Sequence, residues 1–363
     1  MQGKSEKNIK IVTKKQSNKA AKRQSTGFSL CLCVFAFLCL FLTITSCKKQ
    51  DSSKKKVVLY CSVDMQFAEP IIERFEKQSG IDVLERFDEE ATKTVGLVQR
   101  IRSEASNPVA DVFWSGEIFY TIQLANEGLL APYESETIKD WPELFKDKMN
   151  RWHGFGLRAR VIAYNTNKVS AEESPKSLED CLDSKWRGRI VMATPSFGTT
   201  GGDVASWFAH YGTEKAAEIL KALKENGIRT VSGNSTAVRM VSTGQADICF
   251  TDTDDVYAAQ RNGHPVAMNL LRQDGHGPLA IPNTAALIKN APHPDQAKEL
   301  LDFILSEELE ILLAESDSHN SPIHPSLAEK YSKYAIKERL NIEYEKIADL
   351  LPASIESAKE ILE

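Results

Sequence analysis

Short runs of apolar, often β-branched residues alternate along the chain with longer segments of helical periodicity. Residues 57–61 form the first such run, and residues 67–78 behind it repeat apolar positions every three to four residues, with a proline in the first turn. A strand at 81–83, a helix at 94–106 and a strand at 111–114 follow. This alternation predicts an α/β fold with a mostly parallel sheet covered on both faces.

A second series of the same kind begins after Arg160. We therefore expect two α/β lobes, one of residues 57–160 plus 279–363 with the C-terminal helices, and one of residues 161–278. The chain would cross between them near Arg160 and near residues 279–281. Beyond Arg160 the predicted strands are 161–165, 189–192, 246–251 and 284–288, and the predicted helices are 201–211, 214–226 and 294–305.

The N-terminal segment has a different pattern. Basic residues dominate its start, and residues 28–44 form an uncharged apolar run, which is the layout of an export signal. The run ends in Ile44-Thr45-Ser46-Cys47, which resembles the lipobox of bacterial lipoproteins. We predict a signal peptide at 1–46, a lipidated Cys47 and a tether at 47–56, which would anchor the protein in the cell envelope, facing the periplasm or the exterior. An uncleaved membrane helix is the alternative.

Charge and cysteine content limit the kinds of partner and of metal site that the chain can have. Without residues 1–46 the chain keeps 37 basic and 49 acidic residues, a net charge of about −12, which disfavours nucleic acid as a partner. Beyond Cys47 only Cys61, Cys181 and Cys249 remain. No Cys or His spacing indicates a zinc site, and buried thiols or one disulfide are the expected states.

Several loops with polar residues stand where ligands bind in α/β proteins. Open α/β sheets bind ligands at the carboxyl ends of strands, where helix N-termini supply free amides. Hydroxyls at such positions also serve as helix caps, so each one alone is a weak indication. Arginines beside helix N-termini would favour an anion, whereas Asp252, Asp254 and Asp255 after one strand could bind a cation, orient an amine or pair with those arginines.

Ordered motifs along the chain resemble one protein family. Residues 186–190 (WRGRI), 197–201 (FGTTG), 233–235 (GNS) and 251–255 (TDTDD) are similar to the ferric-ion-type, family 1 solute-binding proteins of bacterial ABC importers. The segments 59–62, 90–94, 110–114 and 282–288 fit the same family in order, so the resemblance covers most of residues 57–325.

The resemblance implies a type-2 periplasmic-binding-protein fold whose two lobes close on one ligand. The partners would be ABC permease and ATPase subunits, the receptor would be a monomer, and no cofactor is implied beyond a transported ferric ion. The expected ligand-binding residues are Ser62, Thr92, Lys93, Ser115, Glu117, Arg158, Arg160, Thr199, Thr200, Asn234, Ser235, Asp252 and Asp254.

The nature of the solute is the open question. Ferric-binding members are expected to use two adjacent tyrosines, and this sequence has no Tyr-Tyr pair. We therefore expect a small organic anion, phosphorylated or phosphonate-like, with ferric ion or a ferric chelate as the alternative. An exported enzyme or a surface adhesin is a second alternative, but the sequence shows no nucleophile elbow, zinc-binding helix or phosphate-binding loop motif.

Overall fold

A computed structural model of the chain describes residues 55–88, 92 and 94–363. From residue 55 onward the described residues form one compact unit. The predicted signal peptide and Cys47 lie outside the described residues, as do Lys93 and most of the predicted tether.

Ten strands are described in these residues. They are β1 (Lys56–Cys61), β2 (Asp82–Phe87), β3 (Val112–Ser115), β4 (Leu130–Ala131), β5 (His153–Asn165), β6 (Ile190–Ala193), β7 (Arg229–Val231), β8 (Ile248–Asp252), β9 (Val266–Leu270) and β10 (Ala280–Ile288).

Ten α-helices are described in the same ranges. They are α1 (Met65–Ser79), α2 (Val95–Ser103), α3 (Phe119–Asn126), α4 (Gly198–Tyr211), α5 (Thr213–Glu225), α6 (Asn234–Ser242), α7 (Thr253–Arg261), α8 (Pro294–Ile304), α9 (Glu307–Glu315) and α10 (Tyr344–Leu362). None of these helices is both long and apolar enough to cross a membrane.

One long strand connects the two halves of the sheet. The strand order is β2-β1-β3-β10-β5-β8-β6-β7, with β4 beside β10 and β9 beside β5. Residues of β5 up to Ala159 pair with β10, whereas residues from Arg160 onward pair with β8 and β9. The chain therefore passes from one half to the other at Arg160. The sheet is mixed, not mostly parallel as expected, because β5 and β10 run antiparallel to their neighbours.

Apolar side chains form separate cores around the two halves. The first core gathers β1, β3, β10 and the helices beside them, and the larger core of the second half surrounds Trp186, Trp207 and Phe250. Helix α4 contributes to both, with Ala205 in the first core and Trp207 in the second. Burial of these strands on both faces explains why they read as continuous apolar runs in the sequence.

Helices α3, α4 and α10 meet where the two cores join. Helix α10 packs against both α3 and α4. A Cβ atom at Gly202 in α4 would overlap the ring of Phe119 in α3, so only glycine fits there. The Phe119 ring also lies edge-on to Tyr344 of α10, with ring centres 6.3 Å apart. The tail after residue 326, for which the sequence indicated no role, thus contacts both halves.

Most predicted elements are confirmed, with shifted ends. Helix α1 starts at Met65, so Pro70 lies inside the helix and not in its first turn. Strand β5 begins eight residues before the predicted 161, since its first part pairs with β10. The predicted segments did not include β4, β7 or β9, and β7 and β9 are partly exposed strands without a continuous apolar run.

Candidate functional site

A small cavity lies at the carboxyl ends of β1, β3, β6 and β8. Its volume is about 50 Å³, enough for an ion with a few small ligands. Residues from both halves of the sheet line it, which places it where the chain crosses between them. The lining residues include Ser62, Asp64, Thr94, Glu117, Arg158, Phe197, Thr199, Thr200, Ser232, Asn234, Asp252, Asp254, Asp255, Asn283, Ser318 and Asn320.

A buried ion-pair network supports the cavity from behind. Antiparallel pairing of β5 and β8 sets Arg160 directly opposite Asp252, and the guanidinium Nη1 lies 2.8 Å from Asp252 Oδ1. The Nε atom of Arg160 lies 3.0 Å from Asp203 Oδ2 in α4. Arg160 and Asp203 have no exposed surface, so the arginine balances two buried carboxylates.

Arg158 lies two residues earlier on the same strand and reaches the cavity itself. Its Nη1 donates to Asp254 Oδ2 at 3.1 Å, and its Nη2 donates to the carbonyl oxygen of Gly116 after β3. One side chain thus joins the first half of the sheet, through Gly116, to the start of α7 in the second half. The expected pairing of these aspartates with the arginines is what the structure has.

The pKa values of Asp252 and Asp254 are shifted in opposite directions. Burial raises the pKa of Asp252, but Arg160 and then Arg158 outweigh it, so this pKa lies below the usual range. Burial also raises the pKa of Asp254, and there Arg158 alone does not compensate for burial and the nearby Asp252. The arginines thus favour the charged form of Asp252, whereas burial and the nearby Asp252 disfavour the charged form of Asp254.

Two helix N-termini face the cavity from the second half. Neither α4 nor α6 has a side-chain cap among the described residues, and Gly198, the first residue of α4, adopts φ +60. The Thr199 hydroxyl donates to Asp252 Oδ2 at 2.5 Å, and Asn234 Nδ2 donates to the same oxygen at 3.1 Å. Thr200 donates to Asn234 Oδ1 at 3.1 Å. These bonds lock the two helix starts against the aspartate.

The first half contributes a chain of hydroxyls that ends on a carboxyl group. Thr94 donates to Ser62 at 3.2 Å, and Ser62 contacts Ser115, which donates to Glu117 at 3.3 Å. Glu117 also accepts the backbone amides of Phe119 and Tyr120, so it caps α3. Burial raises the pKa of Glu117 to about 7, although these hydrogen bonds and Arg158 act against it.

Three carboxylates in the cavity could hold a metal ion together. Ligand oxygens of Asp252, Asp254 and Asp255 lie within 4.8 Å of one another. Two further oxygens, Asp254 Oδ1 and Asn320 Oδ1, are buried and accept no hydrogen bond from the described residues. Buried oxygens without a donor indicate a ligand or water that donates hydrogen bonds, or a cation. No tyrosine is among the described lining residues.

The structure brings most of the predicted site residues to this cavity. Ser115 and Arg160 are buried just behind the lining, whereas Thr92 and Ser235 are exposed and away from it. Lys93 is outside the described residues. Eight lie in the cavity wall: Ser62, Glu117, Arg158, Thr199, Thr200, Asn234, Asp252 and Asp254.

Sequence reasoning missed lining residues from two regions. Asp64 and Phe67 come from the N-cap and the first turn of α1, just after the predicted site residue Ser62. Ser318 and Asn320 follow α9 and reach the cavity because Leu157 of β5 pairs with Ser321. Nothing local in the sequence signals that pairing.

Comparison with known proteins identifies the family. Residues 107–346 match the profile of the family described as "Bacterial extracellular solute-binding protein". Structural similarity extends further, to iron-bound HitA from Pseudomonas aeruginosa, with a TM-score of 0.72 and 25% identity over 85% of this chain and 99% of that chain. The predicted family and the predicted binding-protein fold are thereby confirmed.

Two curated relatives carry names that refer to iron. Iron uptake protein A1 of Synechocystis sp. is 28% identical over 274 residues, covering 73% of this chain and 75% of that protein. The major ferric iron-binding protein of Neisseria meningitidis serogroup B is 29% identical over 262 residues, covering 69% of this chain and 76% of that protein.

Proposed function

Because the chain belongs to the bacterial extracellular solute-binding protein family, we propose that it captures ferric ion, bare or as a small chelate, for an ABC importer. The two lobes, residues 57–160 with 279–363 and residues 161–278, would close around the cavity by bending at the crossings near Arg160 and Leu279–Ile281. The closed receptor would then dock on the permease, whose ATPase subunit drives release.

The carboxylate cluster is the observation that carries this proposal. Carboxylate oxygens are the donors that hard cations prefer, and three of them lie within 4.8 Å of one another. Among the described lining residues five acids stand against one arginine, Arg158, and Arg160 behind the lining offsets one more of these acids, so an excess of acids remains that favours a cation. The names of the two relatives reported above refer to the same metal. This reverses the sequence-based preference for an organic anion, which rested on the missing tyrosine pair and on the helix starts at 198–201 and 233–235.

A small organic anion is the second candidate, and the helix starts favour it. The N-termini of α4 and α6 both line the cavity, and first-turn amides without a side-chain cap bind phosphate and carboxylate groups. Arg158 would add a charged donor on the same side. A phosphorylated or phosphonate-bearing solute would use these groups, with the aspartates orienting its hydroxyls or amine.

The remaining parts of the proposal concern the setting of the receptor. We keep Cys47 as a lipid anchor that holds a monomeric receptor at the membrane, facing the periplasm or the exterior. The apolar run and the Thr45-Ser46-Cys47 ending support it. A cleft closed by two α/β halves suits capture better than adhesion or catalysis, and an adhesin would not change shape with a solute.

The test is a thermal-melting screen of the metal-stripped protein against ferric citrate, citrate alone, inorganic phosphate and 2-aminoethylphosphonate. A ligand at about 100 times its Kd stabilises by about 2.7 kcal/mol, a readily measured rise in melting temperature. We expect ferric citrate to raise it and the anions alone to leave it unchanged.

A matched pair of variants assigns the binding to the cavity. Asp254→Asn should weaken ferric binding about 10- to 100-fold, the value of one lost bond to a charged group. Asp295→Asn removes the same charge from an exposed helix start and should leave the affinity for ferric citrate unchanged. A response to phosphonate but not to ferric citrate would favour the second candidate, and equal binding by the two variants would refute the assignment.

A further inference from the structure

Two histidines face each other on the second half of the molecule, outside the cavity. His210 lies in the last turn of α4, and His276 lies in the loop that leads into β10. Their ring centres are 5.1 Å apart and their planes are nearly perpendicular, at 80°. His210 is half-buried and His276 is exposed, so solvent reaches the pair.

The backbone holds both histidines in place. His210 belongs to a helix that is buried along most of its length. His276 closes a tight turn in which its amide donates to Gln273 O at 2.9 Å and its carbonyl accepts the Gln273 amide at 3.3 Å. The two central residues of that turn, Asp274 and Gly275, have φ of 47 and 76, the conformation of a type I′ turn.

The separation of the rings matches what a shared metal ion requires. A tetrahedral Zn²⁺ binds imidazole nitrogens at about 2.0–2.1 Å, which sets the centres of two bound rings about 5 Å apart. Rotation of an imidazole about its Cβ–Cγ bond is soft and hardly moves the ring centre. The observed 5.1 Å equals that separation, and rotation of each ring about its Cβ–Cγ bond would be needed to turn a nitrogen toward one ion.

Carboxylates beside the pair can complete the coordination. Glu179 Oε1 accepts the Tyr211 hydroxyl at 2.6 Å and the Asp274 amide at 3.2 Å, so Glu179 contacts both histidine-bearing segments. The carboxylates of Glu179 and Asp274 both act on His210. Among the described residues these groups do not yet lie within 4.8 Å of one another, so a third ligand requires rotation of one exposed carboxylate.

A basic side chain also acts on His210. Burial and His276 lower the pKa of the imidazole, as does Lys346, whose Nζ is engaged with the carbonyl oxygen of Ala209 at 2.8 Å.

We infer that His210 and His276, completed by the carboxylate of Glu179 or Asp274 and by water, form a second metal site for a borderline divalent cation such as Zn²⁺. The donor set of two imidazoles and one carboxylate is the one that Zn²⁺ takes where a fourth position is left to water. The site is separate from the aspartates of the cavity and does not depend on the ferric proposal. A bound ion would link the end of α4 to the 273–276 turn and raise stability by mass action.

The experiment is calorimetric titration of the metal-stripped protein with ZnCl₂, followed by Co²⁺ absorption spectra that report nitrogen ligands. We expect His276→Ala and His210→Ala each to lower Zn²⁺ affinity at least tenfold. His264→Ala removes an exposed histidine elsewhere and should leave the affinity unchanged.

Two outcomes separate this site from the cavity. Asp254→Asn should keep Zn²⁺ binding, and His276→Ala should keep the response to ferric citrate, so either proposal can fail without the other. Zn²⁺ binding that survives both histidine substitutions, or that disappears in Asp254→Asn, would overturn the inference. Because His276 is exposed, its substitution tests the site without risk to the core.

Discussion

The contact between Gly202 and Phe119 makes a quantitative prediction about the joint between the two halves. In Gly202→Ala the new methyl group would overlap Cε2 and Cδ2 of the Phe119 ring and lie 2.9 Å from Cζ. Carbon atoms prefer separations of 3.5–4.0 Å. The ring is fully buried and lies against Tyr344, so it has no space to move into.

Two opposing effects set the size of the change. Overpacking of a tight core costs about 1–3 kcal/mol, and the severe overlap puts this site near the upper end. Alanine is better than glycine inside a helix by about 1 kcal/mol, which offsets part of the loss. We expect Gly202→Ala to lower the free energy of unfolding by about 2 kcal/mol in urea titrations.

The cause can be separated from a general loss of helix packing. Phe119→Leu makes room next to Gly202, so in that background Gly202→Ala should cost less than 1 kcal/mol, a coupling that a double-mutant cycle measures. Ligand affinity should fall as well, because Glu117 lies just before α3 and Thr199 lies in the first turn of α4, and both line the cavity. An unchanged stability of Gly202→Ala, or additive effects in the double variant, would refute the reasoning.

Two further predictions concern the buried charges. Glu117 has a pKa of about 7 in the folded protein and an ordinary one when unfolded, so the stability that its proton confers is full below about pH 4.5 and lost as the pH rises to 7. Wild type should therefore lose up to about 3 kcal/mol more than Glu117→Gln between pH 4.5 and 8 in urea unfolding; parallel pH profiles would contradict the shifted pKa. Arg160→Met strands two buried aspartates and should cost about 3–5 kcal/mol, whereas Arg102→Met, which breaks the partly exposed pair with Glu127, should cost less than about 1 kcal/mol. Equal losses of unfolding free energy in these two variants, measured from melting curves, would contradict the stabilising role of the buried Arg160 ion pairs.

The sequence was most informative where burial and local pattern coincide. Strands such as β1 and β8 are buried almost throughout, so their apolar runs were sufficient to predict them. The charged site residues were predictable for a related reason. Asp252 ends β8 and Arg160 stands opposite it, at the carboxyl end of a strand, where binding residues are expected.

Long-range pairing and helical phase explain what the sequence could not show. Strand β9 follows no strong pattern and forms because β5 offers it a free edge. Asn320 enters the cavity only through the pairing of Leu157 with Ser321. Ser235 and Asn234 are adjacent in sequence, but one step along a helix turns a side chain by 100°, and only Asn234 faces the cavity.

The position of β10 has a consequence for how the chain acquires its structure during synthesis. This strand is inserted between β3 and β5 at the centre of the sheet, although it is the last strand to be made. Until the ribosome has produced residue 288, β3 lacks its inner neighbour and β5 lacks one side. A nascent chain therefore cannot complete the first core early, and such late closure of long-range pairs slows folding. That delay leaves the first half of the nascent sheet open for longer than the second half, whose strands β6, β7 and β8 pair without β10.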